Sequence, residues 1–316
     1  MGMDEELHDP LAEQAQRGRS PSLPSAGDAA PWPQEIAAQG GGSAAGLGPP
    51  ANDWPVWTGF VVLFAALVLA AVGGLIVDIP AIVLGVEVTS KHTPPGLELG
   101  DTVVQDLAFV LTAILFARFG GRTVRSWQFG FRPTPVRRAA GLVAITIFAF
   151  LAFTAVWAVA LNVKEDTKLL ESLGTNDTTV LLVLSALLTT VIAPICEETL
   201  FRGYIFAALC KWRGWIPAAV ITGVLFGGVH AFSAPAEDLV PLAVLGFALC
   251  ALYRRTGSLY PCIAVHSLNN SLAFGGLEHW GWYIPLLMVG ALATIWAIVL
   301  AAQRIGLISE VPASVP

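Results

Sequence analysis

Long apolar runs dominate this sequence and constrain its fold more than any other feature. Several of them approach the roughly 20 residues that a helix needs to cross about 30 Å of hydrocarbon. Charged residues make up 13% of the 316 residues, whereas soluble domains contain about 25%. The alternating pattern of membrane β-barrel strands is absent from the sequence, so helices must satisfy the backbone inside lipid. We therefore predict an all-α fold, a polytopic transmembrane helical bundle of about eight helices.

The apolar runs divide the chain into a tail, one membrane domain and a short end. Residues 1–53 are rich in Gly, Ala, Pro and Ser without a sustained apolar period, which predicts a disordered cytoplasmic tail. Residues 54–307 form the predicted membrane domain, with a motif core at about 179–275, and residues 308–316 form a short C-terminal tail. The eight predicted spans are 57–77, 102–119, 139–161, 179–196, 216–232, 239–253, 259–274 and 282–302.

The basic residues predict how the chain is oriented. The connection between the second and third spans contains five arginines and no acidic residue, so it is expected to be cytoplasmic. With eight spans both termini are then cytoplasmic, and mostly acidic connections face outward. We predict an integral, multi-pass protein, in the plasma membrane if the source is bacterial. On this topology no cysteine lies in an outward loop, so all four are predicted to be free thiols.

Ionisable residues deep in a span cost roughly 3 kcal/mol each, so those that are present need a reason. Three predicted spans contain them. Glu197 and Glu198 close the fourth span, His230 lies in the fifth and His266 lies in the seventh. Each of these spans also offers a second polar or aromatic side chain at helical spacing.

The spacing assigns different neighbours to the two glutamates. Glu198 and Arg202 are four residues apart, so they share a helix face and Arg202 is expected to neutralise Glu198. Glu197 lies about 100° around the helix, which makes its carboxylate the better candidate base. Phe226 and His230 share a face in the same way, so the aromatic ring is expected to wall one side of the imidazole.

Two further patterns concern helix approach and hydrogen-bond donors. The Gly227-Gly228 pair would let another helix come close. His266 and Asn270 are four apart and place an imidazole beside a carboxamide, a pair of donors that suits an oxyanion. Asn269 is a poorer alternative because it lies three residues along.

These residues resemble, in order, three motifs of the CPBP family: EExxxR, FxxxH and HxxxN. That family contains the type II CAAX prenyl endopeptidases and many bacterial relatives. The matching segments are Glu197-Glu198-Thr-Leu-Phe-Arg202, Phe226-Gly-Gly-Val-His230 and His266-Ser-Leu-Asn-Asn270.

The resemblance implies an intramembrane endopeptidase. Glu197 and His230 would activate water, while His266 and Asn270 would stabilise the tetrahedral oxyanion. Glu198, Arg202 and Phe226 would support them. The expected substrate is a membrane-associated peptide or a prenylated protein, the expected surroundings are the lipid bilayer, and no nucleic acid is expected. Hydrolysis requires water, so a polar cavity that opens toward the cytoplasm is also predicted.

Metal binding is an open alternative at this site. Two carboxylates and two histidines could hold Zn²⁺ with one position free for water, and the ligands would be Glu197, His230 and His266. The chain has no HExxH pattern, so metal-free chemistry without a cofactor is preferred. A nucleophilic Cys196 is less favoured, because adjacent helix positions point about 100° apart.

Other functions remain possible on the same residues. A non-catalytic family member could act in bacteriocin immunity or in scaffolding of membrane partners. A transporter could use the buried charges as a proton relay, but the sequence shows no matched inverted halves.

Overall fold

A computed structural model describes residues 52–88, 93–163 and 168–309, and this part of the chain contains helices and no strand. The predicted tails fall almost entirely outside these ranges. The all-α prediction is confirmed. The eight long helices are α1 (Thr58–Val83), α2 (Pro95–Ala117), α3 (Val136–Leu161), α4 (Thr179–Arg213), α5 (Trp215–Val229), α6 (Ala236–Thr256), α7 (Leu259–Leu277) and α8 (Ile284–Arg304).

Six helices of the described chain are long and apolar enough to cross a membrane, namely α1 to α4, α6 and α8. The prediction of a membrane helical bundle is therefore confirmed. The helices at the other two predicted spans are not both long and apolar enough to cross a membrane. Helix α5 is apolar but has only 15 residues, and the 19 residues of α7 include the polar side chains of the HxxxN motif.

Helix α4 is much longer than the predicted fourth span, which was expected to end at residue 196. It continues to Arg213 and contains 35 residues, because the segment after Glu198 is apolar again and entirely buried. The helix ends at Gly214, whose φ of 85° is in the left-handed region that favours glycine. The acidic pair thus lies inside the helix and not at its end.

The first two helices are also longer than predicted. Asp78 and Glu98 were expected in an outward connection, but they lie within α1 and α2. Of the other residues expected in outward connections, Lys91, Lys164, Glu165 and Asp166 lie outside the described residues.

Helix α4 is the centre of the bundle. All residues of its Thr199–Phe206 segment are buried, and this segment contacts α1, α2, α5, α6 and α7. The outer helices carry large exposed apolar side chains, such as Phe64 on α1, Val159 on α3 and Trp296 on α8. Such faces suit a lipid environment, whereas the buried polar groups gather around α4.

The chain that enters α1 is fixed to the C-terminal part of α4. The Trp54 ring is 2% exposed and stacks on Tyr204 with ring centroids 4.7 Å apart. The Lys211 ammonium donates to the carbonyls of Trp54 and Asn52, and the Tyr204 hydroxyl donates to Thr58 Oγ1 at 2.7 Å. These contacts hold α1 against the helix that carries the acidic pair.

Helices α5 and α6 pack with their backbones close together at glycine residues. These glycines only partly match the predicted Gly227-Gly228 pair. A Cβ on Gly223 would lie 2.7 Å from the Ala243 carbonyl oxygen, and a Cβ on Gly227 would lie 2.9 Å from Ala243 Cβ. A Cβ on Gly228 would meet nothing within 4 Å. The predicted Gly227-Gly228 contact is therefore made by Gly227 alone, with Gly223 one turn earlier.

Candidate active site

Glu198 lies at the centre of the polar cluster. Its Oε1 atom accepts hydrogen bonds from Arg202 Nη1 at 2.7 Å and from His266 Nδ1 at 2.8 Å, and Glu198 and Arg202 are 0% exposed. The predicted pairing of Glu198 with Arg202 is confirmed. Arg202 Nη2 also donates to the Gly246 carbonyl at 3.2 Å. One buried ion pair thereby connects α4 to α6 and α7.

Glu197 has a different environment from its neighbour. Its Oε2 atom lies 3.9 Å from Nε2 of His266 and has no hydrogen-bond partner among the residues that the structure describes. The His266 ring thus stands between the two glutamates, with Nδ1 fixed by Glu198 and Nε2 facing Glu197.

His230 follows the last residue of α5 and is half-buried. Its Nδ1 atom lies 2.7 Å from the Phe226 carbonyl oxygen. Because a carbonyl only accepts, this contact assigns the hydrogen of a neutral imidazole to Nδ1 and leaves Nε2 as an acceptor.

The Phe226 ring joins the two histidines. Its centroid is 5.0 Å from that of His230 and 5.5 Å from that of His266. The Arg202 guanidinium carbon lies 4.5 Å from the same centroid, within reach of a cation–π contact. Helical spacing predicted the contact of Phe226 with His230, but not its contacts with His266 and Arg202. One aromatic ring thus contacts side chains from all three motifs.

A local change of helical pitch positions Asn270. Pro194 of α4 has no N–H, so it cannot donate to the Thr190 carbonyl four residues earlier or, in π geometry, to the Thr189 carbonyl five residues earlier. The helix widens to π geometry at Leu188–Ile192. Ser267 Oγ donates to the Thr190 carbonyl at 2.6 Å and Asn270 Nδ2 donates to the Thr189 carbonyl at 3.0 Å.

The Asn270 carboxamide is held from two sides. One Nδ2 hydrogen is used by the Thr189 carbonyl, while Oδ1 accepts from Asn269 Nδ2 at 3.3 Å. The second Nδ2 hydrogen remains for another acceptor, and the side chain is half-buried. Asn269 acts here as a support for Asn270.

One buried carboxylate near the site was missed by the sequence analysis. Asp106 on α2 is 1% exposed, and neither of its carboxylate oxygens has a partner within the described ranges. It is close enough to Glu197 for an electrostatic interaction. The count of three spans with buried ionisable residues was therefore wrong, because α2 is a fourth. The same criterion, an acid inside an apolar run, would have found it.

The side chains suggested as zinc ligands do not form a metal site in this arrangement. Within the described chain, no three His, Cys, Asp or Glu side chains converge in a geometry that could hold a metal ion. His266 Nδ1 and His230 Nδ1 are both taken by protein acceptors. Of the three suggested ligands, Glu197 and His266 approach each other to 3.9 Å. Metal-free chemistry stays a prediction.

Two other expectations concern cysteines and water access. All four cysteines are buried and free, as predicted. A groove of about 340 Å³ lies along α8. Its lining contains none of the motif residues and is Trp296, Ala297, Leu300, Ala301, Arg304 and Ile305. The polar cavity toward the cytoplasm remains a prediction.

The fold and the cluster define a class of protein: a polytopic helical membrane protein with a carboxylate–histidine site on buried faces of its helices. Comparison with known families agrees with this class. Residues 179–272 match the family model described as "Type II CAAX prenyl endopeptidase Rce1-like". The matched segment contains all three motifs, so the comparison supports the predicted resemblance to the CPBP family of membrane peptidases.

Two curated proteins are similar to part of the chain. One is the "Putative membrane peptidase YdiL" of Bacillus subtilis, 33% identical over 88 residues, or 28% of this chain and 35% of that protein. The other is the "UPF0177 protein YxdF" of Lactococcus lactis, 36% identical over 87 residues, or 27% of this chain and 45% of that protein. The matches thus span less than half the length of these relatives. No solved structure matches the chain.

Proposed function

We propose that this protein is an intramembrane endopeptidase that hydrolyses a peptide bond in a prenylated or other membrane-associated peptide. The observation that carries the proposal is the position of His266 between the two glutamates, 2.8 Å from Glu198 and 3.9 Å from Glu197. Oε1 of Glu198 accepts from both His266 and Arg202, whereas the contact of Glu197 with His266 is beyond hydrogen-bond distance. The Oε2 atom of each acid is buried without a partner in the described chain. The two acids therefore have separate tasks.

In the proposed reaction Glu197 is the general base. Its carboxylate accepts a proton from a water molecule while Nε2 of His230, left as an acceptor by the Phe226 carbonyl, helps to orient that water. The hydroxide oxygen forms a bond to the substrate carbonyl carbon and gives a tetrahedral oxyanion. Glu197 then returns the proton to the leaving nitrogen as the peptide C–N bond breaks.

The oxyanion receives its donors from α7. When His266 is protonated, Nδ1 donates to Glu198 and Nε2 carries a hydrogen for the oxyanion. Asn270 supplies its remaining Nδ2 hydrogen. Donors that are fixed before the charge develops, away from bulk water, are the most effective kind of electrostatic stabilisation. The contacts with Glu198 and with the Thr189 carbonyl supply that fixation.

The substrate class follows from where the site lies. The acidic pair is on a helix that is long and apolar enough to span a membrane, so the scissile peptide must enter or border the bilayer. The family match and the name of the Bacillus relative support peptide hydrolysis. A prenyl group would supply membrane affinity, since each buried CH₂ contributes about 0.8 kcal/mol.

The test is cleavage of a synthetic peptide by the purified full chain in lipid vesicles. A farnesylated peptide and the same peptide without the lipid are compared, with wild type, Glu197→Gln and His230→Ala. We expect cleavage by wild type and a loss of at least ~100-fold in kcat for either variant, the size typical of losing a general base. His279→Gln, in the connection between α7 and α8, is the control that should cleave like wild type.

The outcomes separate the alternatives. Full activity of the Glu197→Gln variant would reject the mechanism while leaving peptidase activity in place. A folded wild type that cleaves neither peptide would favour the non-catalytic alternative, in which the family fold serves immunity or scaffolding. Cleavage of both peptides at equal rates would show that the substrate needs no prenyl group.

A further inference from the structure

One end of the bundle is rich in exposed arginine. Helices α2, α4, α6 and α8 end on this side, where the exposed basic residues include Arg118, Arg125, Arg213, Arg255 and Arg304. The N–H of Ser309, after α8, donates to Ser126 Oγ at 2.7 Å in the connection between α2 and α3. We call this side the basic end.

The connection between α2 and α3 packs into the basic end. Phe129 is 4% exposed, and its carbonyl accepts a hydrogen bond from the Tyr253 hydroxyl at 2.9 Å. The carbonyl of Gly130 accepts from the N–H of Leu259, the first residue of α7, at 2.8 Å. A Cβ on Gly130 would lie 2.5 Å from the Tyr253 hydroxyl oxygen. The connection therefore passes in direct contact with the end of α6 and the start of α7.

Further contacts fasten this connection over the motif side chains. Arg132 Nε donates to the Gly257 carbonyl at 2.6 Å, and Ser258 Oγ donates to the Arg132 carbonyl at 2.6 Å. A Cβ on Gly203, the residue after Arg202, would lie 3.1 Å from the Phe129 carbonyl oxygen. Closely packed, hydrogen-bonded residues thus lie between the basic end and the motif side chains.

The motif side chains are more exposed toward the opposite end of the bundle. On α7, Leu259 and His266 are buried, whereas Asn269 and Asn270 farther along the helix are half-buried. His230 is half-buried at the end of α5, and the next residue, Ala231, is exposed. Exposure therefore increases with distance from the basic end.

The connection between α5 and α6 lies near the membrane surface opposite to the basic end. It joins Val229 to Ala236, and the Trp157 indole N–H donates to the Glu237 carbonyl at 2.8 Å next to it. Exposed Trp282 and Tyr283 precede α8 on the same side. Trp and Tyr are enriched where a bilayer meets water, so these residues mark that boundary. His230 is thus carried by a connection at the boundary.

The segment after α3 covers a different part of this end. Leu173 packs with Leu99 of α2 and Leu188 of α4, and its carbonyl accepts from Ser185 Oγ at 3.3 Å. These contacts are with α2 and α4. The half-buried side chains of His230, Asn269 and Asn270 belong to the ends of α5 and α7.

We propose that the candidate active site is reached from the end of the bundle opposite to the basic end, beside the connection between α5 and α6. The inference rests on the proposed peptidase function and narrows its substrate. Arginine-rich connections mark the cytoplasmic side of a membrane protein, so the substrate is a membrane-associated peptide presented on the non-cytoplasmic surface. This route is opposite to the cytoplasmic opening expected from the sequence.

The first test measures access and requires no substrate. Ala231→Cys, Asn269→Cys and Arg213→Cys are made singly in the full chain, and wild type, whose own cysteines are buried, gives the background. A membrane-impermeant maleimide is applied to right-side-out and to inverted membrane vesicles. We expect Ala231→Cys and Asn269→Cys to react from the side opposite to the one from which Arg213→Cys reacts.

Three labelling results would overturn the proposal. The first is reaction of Ala231→Cys or Asn269→Cys from the same side as Arg213→Cys. The second is an Asn269→Cys variant that reacts from neither side. The third is reaction of Asn269→Cys with a lipid-soluble maleimide alone, because the site would then open to the bilayer and not to the surface.

The second test asks whether blocking this route stops cleavage of the peptide that wild type cleaves. Unmodified Ala231→Cys should cleave like wild type. A bulky polyethylene glycol maleimide on Ala231→Cys should abolish most cleavage, whereas the same reagent on Arg213→Cys should leave it unchanged. Methyl methanethiosulfonate, a small thiol reagent, should have little effect on Ala231→Cys, which separates blocked entry from a disturbed His230.

The outcomes distinguish this inference from the proposed function. Unchanged cleavage after the bulky modification of Ala231→Cys would overturn the route and leave the peptidase function in place. Loss of cleavage on modification of Arg213→Cys instead would place entry at the basic end and also overturn it. A wild type that cleaves no peptide would reject the proposed function, while the labelling result would still decide how the site is reached.

Discussion

The guanidinium of Arg202 meets the carboxylate of Glu198 at 2.7 Å with both side chains fully buried. Breaking such a pair leaves one uncompensated charge in the core. We predict that Arg202→Met destabilises the protein by about 3–5 kcal/mol, measured by unfolding in detergent or lipid. The double variant Arg202→Met/Glu198→Leu should recover much of this loss, and exposed Arg213→Met on the same helix should cost little. A single variant as stable as wild type would contradict the prediction.

Pro194 lacks the N–H that would bond to the Thr190 or the Thr189 carbonyl, and both carbonyls accept hydrogen bonds from α7. Pro194→Ala supplies an N–H that can bond to the Thr190 or Thr189 carbonyl and so competes with Ser267 and Asn270. We expect a drop in kcat of up to ~100-fold, as for a displaced catalytic group, without loss of stability. Measurements of kcat and of the thermal midpoint of unfolding together test this prediction.

The matched control is Pro217→Ala. Pro217 is the third residue of α5, where the backbone N–H has no intrahelical partner in any case. Its replacement should leave kcat unchanged. Equal effects of the two substitutions would show that the missing N–H of Pro194 is not what positions Asn270.

The adjacent glycines 227 and 228 offer a pair of substitutions with opposite expectations. Gly227→Ala places a methyl group 2.9 Å from Ala243 Cβ and should cost about 1–3 kcal/mol through overpacking of α5 against α6. Gly228→Ala enters open space and should be neutral, or stabilising by up to about 1 kcal/mol through helix propensity. Thermal unfolding of both variants measures the difference. Similar behaviour of the two would contradict the packing described.

Phe226 is expected to affect both stability and activity. Phe226→Ala removes the ring that contacts both imidazoles and Arg202, and it should cost about 3–5 kcal/mol as a large-to-small change in a core. Phe226→Leu keeps part of the apolar volume and should cost less. Phe148→Ala, exposed on α3, is the control with little effect. A larger effect at Phe148 than at Phe226 would be inconsistent with the buried contacts.

Metal dependence gives a further prediction. Among the described residues no three His, Cys, Asp or Glu side chains converge to hold a metal ion, so cleavage by the purified protein should be insensitive to EDTA or phenanthroline. Metal analysis of the active protein should find less than one equivalent of zinc. Loss of activity with a chelator, restored by Zn²⁺, would overturn metal-free chemistry and require the site to rearrange around the ion.

The sequence predicted the helical class and most of the side chains gathered in this cluster. Helical spacing was sufficient to pair Glu198 with Arg202 and to separate Glu197 from both, because a four-residue interval fixes which side chains share a face. Contacts between helices could not be obtained in this way. The hydrogen bond from His266 to Glu198 joins residues 68 positions apart, and no local pattern encodes it.

Helix ends were the weaker part of the prediction. The fourth span was ended at its acidic pair because charged residues commonly mark a boundary. In the structure Glu198 is paired with Arg202 on the same helix and with His266 on α7, and α4 continues to Arg213. Asp106 was overlooked for a related reason, since it stands singly in an apolar run and matches none of the three motifs.

The length of α4 has a consequence for how a substrate reaches the site. At 1.5 Å per residue its 35 residues extend about 52 Å, well beyond the roughly 30 Å hydrocarbon layer, and Glu197 stands close to its midpoint. The acid is therefore about 25 Å along the helix from either end. A helical substrate would have to unwind near the cleavage point, because a helix shields its own carbonyls from attack. Segments weakened by glycine or proline should accordingly be cut in preference to uninterrupted helices.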